Sequence, residues 1–255
     1  MKEKLGTVIG IFLFVVILGG IIYLNAFADT SDKELYTEII IEGNHFLPEK
    51  DYLINSKLGS KGEYQELTLR EIKSRILSHP YILKAEVQSN GIGKVKINVF
   101  EKKIMAVLLT KNVPYLITEN YKLLIMNPNS DITKLPVISN ATLTKDDIKQ
   151  KIVINSDLKR AFKIIDAAKI INEKMYMDLH EINLRHGGDI ILNFSGIHAP
   201  VIFGKGSEWK KTVYLSSIWE GLKNRNKIFN NTIYVDLRFS DKIFIGKPVI
   251  TESNG

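Results

Sequence analysis

The sequence predicts an α+β protein with a single N-terminal transmembrane helix, a small βααββ domain and a mixed α/β domain built on an antiparallel open sheet. Three observations support this fold class: an uncharged apolar segment at the N-terminus, two short helices with clear start signals between β-branched runs, and later strand-like runs around two longer helices. The chain has 255 residues, of which 45% are hydrophobic and 25% charged, so it is long enough for one or two folded domains.

The first element is a segment from Leu5 to Ala28 that contains no charged residue. About 20 apolar residues cross a hydrocarbon core of about 30 Å, whereas the apolar part of a signal peptide has only about 7 to 15 residues. Lys2 and Lys4 precede the segment, so residues 1–4 form a cytoplasmic stub and the remaining chain lies outside the membrane. The sequence therefore predicts a retained single-pass anchor over residues 5–28. The alternative is a signal peptide that is cleaved after Ala28.

The first domain outside the membrane is predicted over residues 36–103. A β-branched run at residues 38–42, closed by a Gly-Asn turn, predicts its first strand. Pro48 stands at the first position of a short helix, where proline is favoured. Thr68 and Glu71 have the spacing of a capping box, which predicts the start of a second helix.

Two paired strands complete this domain. The second helix ends at His79-Pro80, because a residue that precedes proline is disfavoured in the helical region. The extended run at residues 82–87 and the alternating pattern at residues 95–99 predict two strands, which the turn-rich residues 90–93 join as a hairpin. The predicted order is therefore strand, helix, helix, strand, strand.

The second domain is predicted over residues 104–247, and residues 248–255 form a tail. Strand runs, turn residues and capping residues indicate its elements. These elements are a hairpin at 115–124, a helix at about 156–172, strands at 181–184 and 189–194, a helix after 204–207, and strands at 232–239 and 242–246. In the last helix, a buried face is predicted from the stripe Trp209, Val213, Ile218, Trp219 and Leu222.

The chain shows no motif for catalysis, a metal ion or a cofactor. It contains no cysteine, and its five histidines lack the spacing of a metal site. Residues 204–207 resemble a phosphate-binding loop only in part, since Gly206 follows Lys205 where that loop needs Ser or Thr. They are predicted as a strand-to-helix turn with Ser207 as N-cap. We therefore expect no enzyme activity, no cofactor and no small-molecule substrate.

Basic residues outnumber acidic ones, and the resulting net charge of +7 favours acidic partners. The stub formed by Lys2, Glu3 and Lys4 contributes +1 of this charge, which leaves +6 on the part predicted to lie outside the membrane. Nucleic acid is not an expected partner, because the space outside the membrane lacks it and because a net charge of +6 is modest for a segment of this length.

Taken together, these elements resemble the FtsQ/DivIB family of bacterial cell division proteins. The motifs that support the resemblance are the Gly43-Asn44 turn, the His79-Pro80 step and the segment Val99-Phe100-Glu101-Lys102. The family has one transmembrane helix directly before one POTRA domain, which is the layout predicted here. Residues 235–239, Val-Asp-Leu-Arg-Phe, are the most FtsQ-like stretch, and the resemblance covers roughly residues 1–247.

This resemblance implies a non-enzymatic scaffold in the cytoplasmic membrane at the division septum, linked to septal peptidoglycan synthesis. It implies that the C-terminal domain recruits bitopic proteins of the FtsB/DivIC and FtsL types by strand addition beside its last strand. The implied partner-binding residues are Arg238, Phe239, Lys242, Ile243, Phe244 and Ile245. Phe239 stands where the family has tyrosine, so it lacks a hydroxyl but keeps the ring. Arg238 stands out because an arginine in an otherwise apolar strand needs a partner.

Two other function classes are compatible with the sequence. One is a POTRA-containing adaptor for secretion or translocation, which would be found with export proteins. The other is a membrane-anchored cell-wall enzyme whose catalytic residues lie in no motif named above; turnover of peptidoglycan would identify it.

Overall fold

The structure is a computed structural model that describes residues 2–27, 35–110, 113–225, 228–239 and 241–248. Two compact units are found: Met1–Gly43, Glu49–His79 and Lys84–Val99 form the first, and Asn44–Pro48, Pro80–Leu83 and Phe100–Gly255 form the second. Helix α1 spans Lys2–Phe27. The side chains of α1 are described only over residues 11–23. Within the described residues, no helix is both long enough and apolar enough to cross a membrane.

The POTRA-like part of the chain has a three-stranded sheet and three helices among its described residues. Its elements are β1 (Glu38–Glu42), α2 (Glu49–Asn55), α3 (Lys61–Tyr64), α4 (Leu69–Leu77), β2 (Ile82–Ser89) and β3 (Lys94–Glu101). The strand order is β1-β3-β2, with β1 parallel to β3. The predicted order is confirmed, with α3 as an additional short helix. Ser60 and Glu63 form a capping box for α3, and the Ser60 N–H donates to the Glu63 carboxylate at 2.9 Å.

Helix α4 begins as its capping residues predict. The Thr68 N–H donates to Glu71 Oε2 at 2.7 Å, and the Glu71 N–H donates to Thr68 Oγ1 at 3.2 Å. These two bonds satisfy backbone donors that a helix start leaves unpaired. Ile72 and Ile76, four residues apart, are fully buried and attach α4 to the core of the first unit.

Gly43 follows β1 at a position that only glycine fits. Its φ is +82°, and a Cβ at this position would lie 2.5 Å from the carbonyl oxygen of Val99. Residues with a Cβ rarely adopt such a φ, and the Val99 oxygen is part of the backbone and has little freedom to move. The Gly-Asn turn is therefore required by backbone geometry.

The described residues of the second unit form a nine-stranded sheet. Its strands are β4 (Ile104–Thr110), β5 (Val113–Thr118), β6 (Leu123–Ile125), β7 (Val137–Ser139), β8 (Leu179–Asn183), β9 (Ile191–Phe194), β10 (Ile197–Ile202), β11 (Tyr234–Asp236) and β12 (Phe244–Gly246). The helices are α5 (Lys145–Gln150), α6 (Ser156–Ile171), α7 (Glu173–Asp178) and α8 (Glu208–Lys223). The strand order is β12-β11-β10-β9-β8-β7-β4-β5-β6.

The prediction of an antiparallel sheet is wrong in part, because this sheet is mixed. β7 is parallel to both β4 and β8, and β10 is parallel to β11. Parallel neighbours need a long crossover, usually a helix. Here α6 lies in the connection from β7 to β8, and α8 lies in the connection from β10 to β11. The predicted hairpin of β5 and β6 is confirmed as an antiparallel pair.

The core of the second unit lies between the sheet and the helices α6 and α8. Trp219 of α8 is fully buried and meets Phe194 of β9 edge to face, with ring centroids 4.7 Å apart. The predicted buried face of α8 is wrong for Trp209 and Val213, which are 45% and 48% exposed. Helix α8 begins at Glu208 and buries the residues at spacings of three and four from it, so Trp209 lies about 100° away from the buried face.

Candidate partner-binding edge

The nine-stranded sheet ends in β6 on one side and in β12 on the other. The β6 edge is covered within the chain, because the Leu123 N–H donates to the Lys151 carbonyl at 2.8 Å and the Val153 N–H donates to the Tyr121 carbonyl at 3.0 Å. At the other edge, β12 pairs with β11, and no strand among the described residues pairs with its second side. The β12 edge is therefore able to add a strand.

One face of β12 is fixed to the core of the second unit. Ile245 pairs with the fully buried Val235 of β11, and both Ile243 and Ile245 pack against the core. On the opposite face, Gly246 lies under the ring of Tyr234, which is 38% exposed, since a Cβ on Gly246 would come within 2.3 Å of Tyr234 Cε1. An aromatic ring over a glycine is a favourable cross-strand pair that holds an edge strand in register.

The same opposite face of the edge carries two further exposed aromatic side chains. Phe239 is 51% exposed and Phe244 is 44% exposed. Their ring centroids are 4.7 Å apart in an edge-to-face arrangement. The pair thus presents apolar surface beside the open strand, and the Phe239 ring has this contact without a hydroxyl.

Arg238 follows β11, and its side chain is bound within the chain. Nε donates to Asp236 Oδ1 at 3.0 Å, and Nη2 donates to Asp236 Oδ2 at 2.6 Å. Nη1 donates to Asp189 Oδ2 at 3.2 Å. The paired bonds to one carboxylate are the strong bidentate form of an arginine ion pair. The partner that the sequence analysis expected for this arginine is thus present in the same chain.

This ion pair shifts the pKa of each group so that the group stays charged over a wider pH range. Hydrogen bonds from Arg238 hold the pKa of the buried Asp236 carboxyl below its usual range. Hydrogen bonds to Asp236 and Asp189 raise the pKa of Arg238. A carboxyl with a lowered pKa in the folded state stabilises the fold above its unfolded pKa of about 3.9, and this stabilisation is lost as the pH falls through the folded value.

We predict that Asp236→Asn destabilises the chain at pH 7 but much less in acid. Asparagine keeps the shape of the side chain but cannot pair with Arg238 as a carboxylate. The measurement is urea denaturation of native and variant chain at pH 7 and at pH 3. The difference in unfolding free energy is expected to narrow at pH 3, because below a pH of about 3.9 the unfolded native chain takes up a proton on Asp236, which asparagine cannot do. A difference of equal size at both pH values would contradict this role of the ion pair.

Lys242 lies two residues before β12 and is exposed. It forms no ion pair with any residue of the described chain. Its neighbour Asp241 is engaged by Lys210 of α8 at 2.8 Å. Lys242 is therefore a cation at the edge that remains available to an acidic group.

Two residues that contact Arg238, Asp189 and Gly204, and a buried lysine near them, Lys211, were missed by sequence reasoning. Asp189 lies 49 positions away in the sequence, and no local pattern connects the two. Gly204 lies directly under the Arg238 side chain. Lys211 is buried in α8, where its ammonium donates to the carbonyls of Phe203 and Lys205 at 3.0 Å each, and burial lowers its pKa. An available signal was the position of Lys211 three residues after Glu208, on the buried face of the helix.

The turn before α8 differs from its prediction in one respect. Residues 204–207 do join β10 to α8. Ser207, however, has a left-handed backbone conformation, and its side chain accepts no capping bond. In the part of the chain that the structure describes, no group of three or more His, Asp or Glu side chains is placed to hold a metal ion.

Comparison with known proteins identifies the type of chain. Residues 36–102 match the family model described as POTRA domain, FtsQ-type. Over 173 residues the chain is 26% identical to the cell division protein DivIB of Enterococcus faecalis strain 62, and equally so to that of strain ATCC 700802 / V583. The chain thus contains an FtsQ-type POTRA domain and is similar to DivIB cell division proteins. The matched stretch covers 66% of the chain and 46% of each relative, so the chain spans about half the length of these curated relatives.

The resemblance to this family of cell division proteins is thereby confirmed. Two of the motifs that supported the resemblance have structural roles. Gly43 lies against the backbone of Val99. The Glu101 carboxylate accepts hydrogen bonds from the N–H groups of His45 and Phe46 at 3.0 Å each. These motifs thus have roles in the fold.

Proposed function

We propose that this FtsQ/DivIB-type protein is a non-enzymatic scaffold of the bacterial division complex, anchored in the cytoplasmic membrane and located at the septum. The observation that carries the proposal is the open edge at β12, which lies next to exposed aromatic rings and an available lysine. The similarity to DivIB proteins supplies the process, cell division. In this proposal the scaffold links its partners to septal peptidoglycan synthesis.

Residues 5–28 serve as the single-pass anchor in this proposal. They contain no charged residue, and α1 extends from Lys2 to Phe27. A helix that rises about 1.5 Å per residue needs about 20 apolar residues for a hydrocarbon core of about 30 Å. Lys2 and Lys4 favour a cytoplasmic N-terminus. A POTRA domain at 36–103, a β domain at 104–247 and the tail then lie outside.

The partners proposed for the edge are bitopic proteins of the FtsB/DivIC and FtsL types. A segment of such a partner adds to β12 as a further strand, and main-chain hydrogen bonds supply much of the affinity. Phe239 and Phe244 offer apolar contacts on one face of the added strand. Ile243 and Ile245 support the strand from the core side. Arg238 and Lys242 are the basic residues of this surface.

We predict that replacing both Phe239 and Phe244 by alanine weakens binding of the partner's extracytoplasmic segment about tenfold or more, because exposed aromatic anchors dominate many interfaces. Calorimetric titration of the full chain with that segment measures the effect. Ile170→Ala is the matched control, since Ile170 is 74% exposed on α6 and lies outside the edge. Equal affinities of the double variant and the native chain would remove the aromatic pair from the interface.

Location in dividing cells tests the proposed process. A fluorescent protein fused to the N-terminus of the full chain is expected to form a band at midcell. A uniform signal around the envelope would contradict the scaffold proposal and favour an adaptor for secretion or translocation.

A further inference from the structure

We infer that Arg238 is a positioning residue of the binding edge, and that Lys242 is the cation which this edge offers to an acidic residue of a partner. The resemblance to the FtsQ/DivIB family implies that Arg238 itself contacts the partner, so this inference assigns the two basic residues different roles. It rests on the proposed function for the identity of the partner. The positioning role is measurable in the chain alone.

The contacts of Arg238 leave its charge satisfied. Each of its three guanidinium nitrogens donates to a carboxylate, at 2.6 to 3.2 Å. The two acceptors, Asp236 and Asp189, together carry more negative charge than Arg238 neutralises. Both carboxylates also interact electrostatically with the Lys211 ammonium. The group as a whole has no net positive charge. An acidic residue of a partner would therefore compete with two carboxylates that are already in place.

The stem of Arg238 also lies against the loop that follows β10, while the side chain as a whole is 46% exposed. A Cβ on Gly204 would lie 2.7 Å from Arg238 Cγ, and Gly204 has a φ of +67°. The side chain thus connects three places: the end of β11, the loop after β10, and Asp189 just before β9. Because the chain turns from β11 toward β12 directly after Arg238, we expect these contacts to hold the start of that turn in place.

Lys242 differs from Arg238 in each of these respects. It is exposed, and no carboxylate of the described residues lies within ion-pair distance of it. Asp241, its nearest acidic neighbour in the sequence, is bound by Lys210. A free ammonium beside an open strand attracts an acidic side chain of an added segment, and such an attraction at the rim of an interface is sensitive to salt.

The positioning role is tested by hydrogen exchange of the full chain in detergent micelles. Gly204→Ala displaces the Arg238 stem, whereas Gly206→Ala introduces the same kind of side chain in the same loop at a φ of +73° with no heavy atom within 4 Å. Both variants share the cost of a positive φ. We expect amides of β11 and β12 to exchange about tenfold faster in Gly204→Ala than in Gly206→Ala, with β8 as internal reference. Equal exchange in the two variants would overturn the positioning role.

The division of roles is tested by titrating the full chain with the extracytoplasmic segment of an FtsB/DivIC-type protein at several salt concentrations. Lys242→Ala should weaken binding and flatten its salt dependence, and Lys242→Arg should restore both. Arg238→Gln should weaken binding with the salt dependence unchanged, and Arg238→Lys should not restore it, because lysine cannot form the bidentate pair. A salt dependence that flattens in Arg238→Gln and not in Lys242→Ala would overturn the inference.

The two experiments separate the inference from the function on which it rests. If the unmodified chain does not bind the segment at any salt concentration, the proposed partner class fails. The exchange measurement still decides whether Arg238 positions the edge, because it needs no partner.

Discussion

Replacing Gly43 by alanine is expected to lower the free energy of unfolding of the first unit by about 2 to 5 kcal/mol. Two separate effects contribute. Alanine is strained at a φ of +82°, and its Cβ would come within 2.5 Å of the Val99 carbonyl oxygen. Since that oxygen belongs to β3, relief of the collision requires a shift of a strand in the small sheet. Urea denaturation of the full chain, followed by circular dichroism, measures the loss.

Gly91→Ala is the matched control for this experiment. Gly91 has a φ of +73°, but a Cβ there would meet no heavy atom within 4 Å. This variant therefore carries only the backbone strain, about 1 to 2 kcal/mol. Losses of the same size in both variants would show that the approach of Gly43 to Val99 contributes nothing.

Local elements were the part of the fold that sequence reasoning predicted well. The capping box of Thr68 and Glu71 places the start of α4 within one turn, because the bonds join residues three positions apart. The same logic was available for Ser60 and Glu63, and it would have added α3. Such signals lie in single short segments, so one sequence is enough to read them.

Strand pairing was the part that sequence reasoning did not predict. β7 lies between β4 and β8, and β4 is separated from β7 by the whole β5–β6 hairpin. The order of strands depends on which faces bury against α6 and α8, which is a property of the complete unit. The sequence did predict the two helices that lie in the crossovers. Parallel strand pairs, and thus a mixed sheet, follow from such crossover helices.

The candidate site shows the same limit. Asp236 and Arg238 are two residues apart and thus lie on one side of an extended chain, so their pairing was readable from the sequence. Asp189 and Gly204 reach Arg238 only through the arrangement of β9, β10 and β11. The resemblance to the FtsQ/DivIB family implies that this segment binds a partner, and the contacts within the chain distinguish the roles proposed for its residues.

The second prediction with a large effect on the free energy of unfolding concerns the two tryptophans of α8. Trp219 is fully buried against Phe194, and Trp219→Ala is expected to lower the free energy of unfolding by about 3 to 5 kcal/mol, as for other large core side chains. Trp209→Ala is the matched control on the same helix, because that side chain is 45% exposed and its loss should change stability by less than about 0.5 kcal/mol. Urea denaturation of the full chain measures both.

Trp219→Phe refines this test and connects the core to the edge. The Trp219 indole N–H has no hydrogen-bond partner among the described residues, and an unsatisfied buried donor is unfavourable. Phenylalanine removes that donor, so this variant should lose clearly less stability than alanine does. Helix α8 forms the connection between β10 and β11, and Lys210 of α8 pairs with Asp241 beside β12. Trp219→Ala is therefore expected to increase hydrogen exchange in β11 and β12 as well. Unchanged exchange in these two strands would show that the packing of Trp219 does not influence the edge.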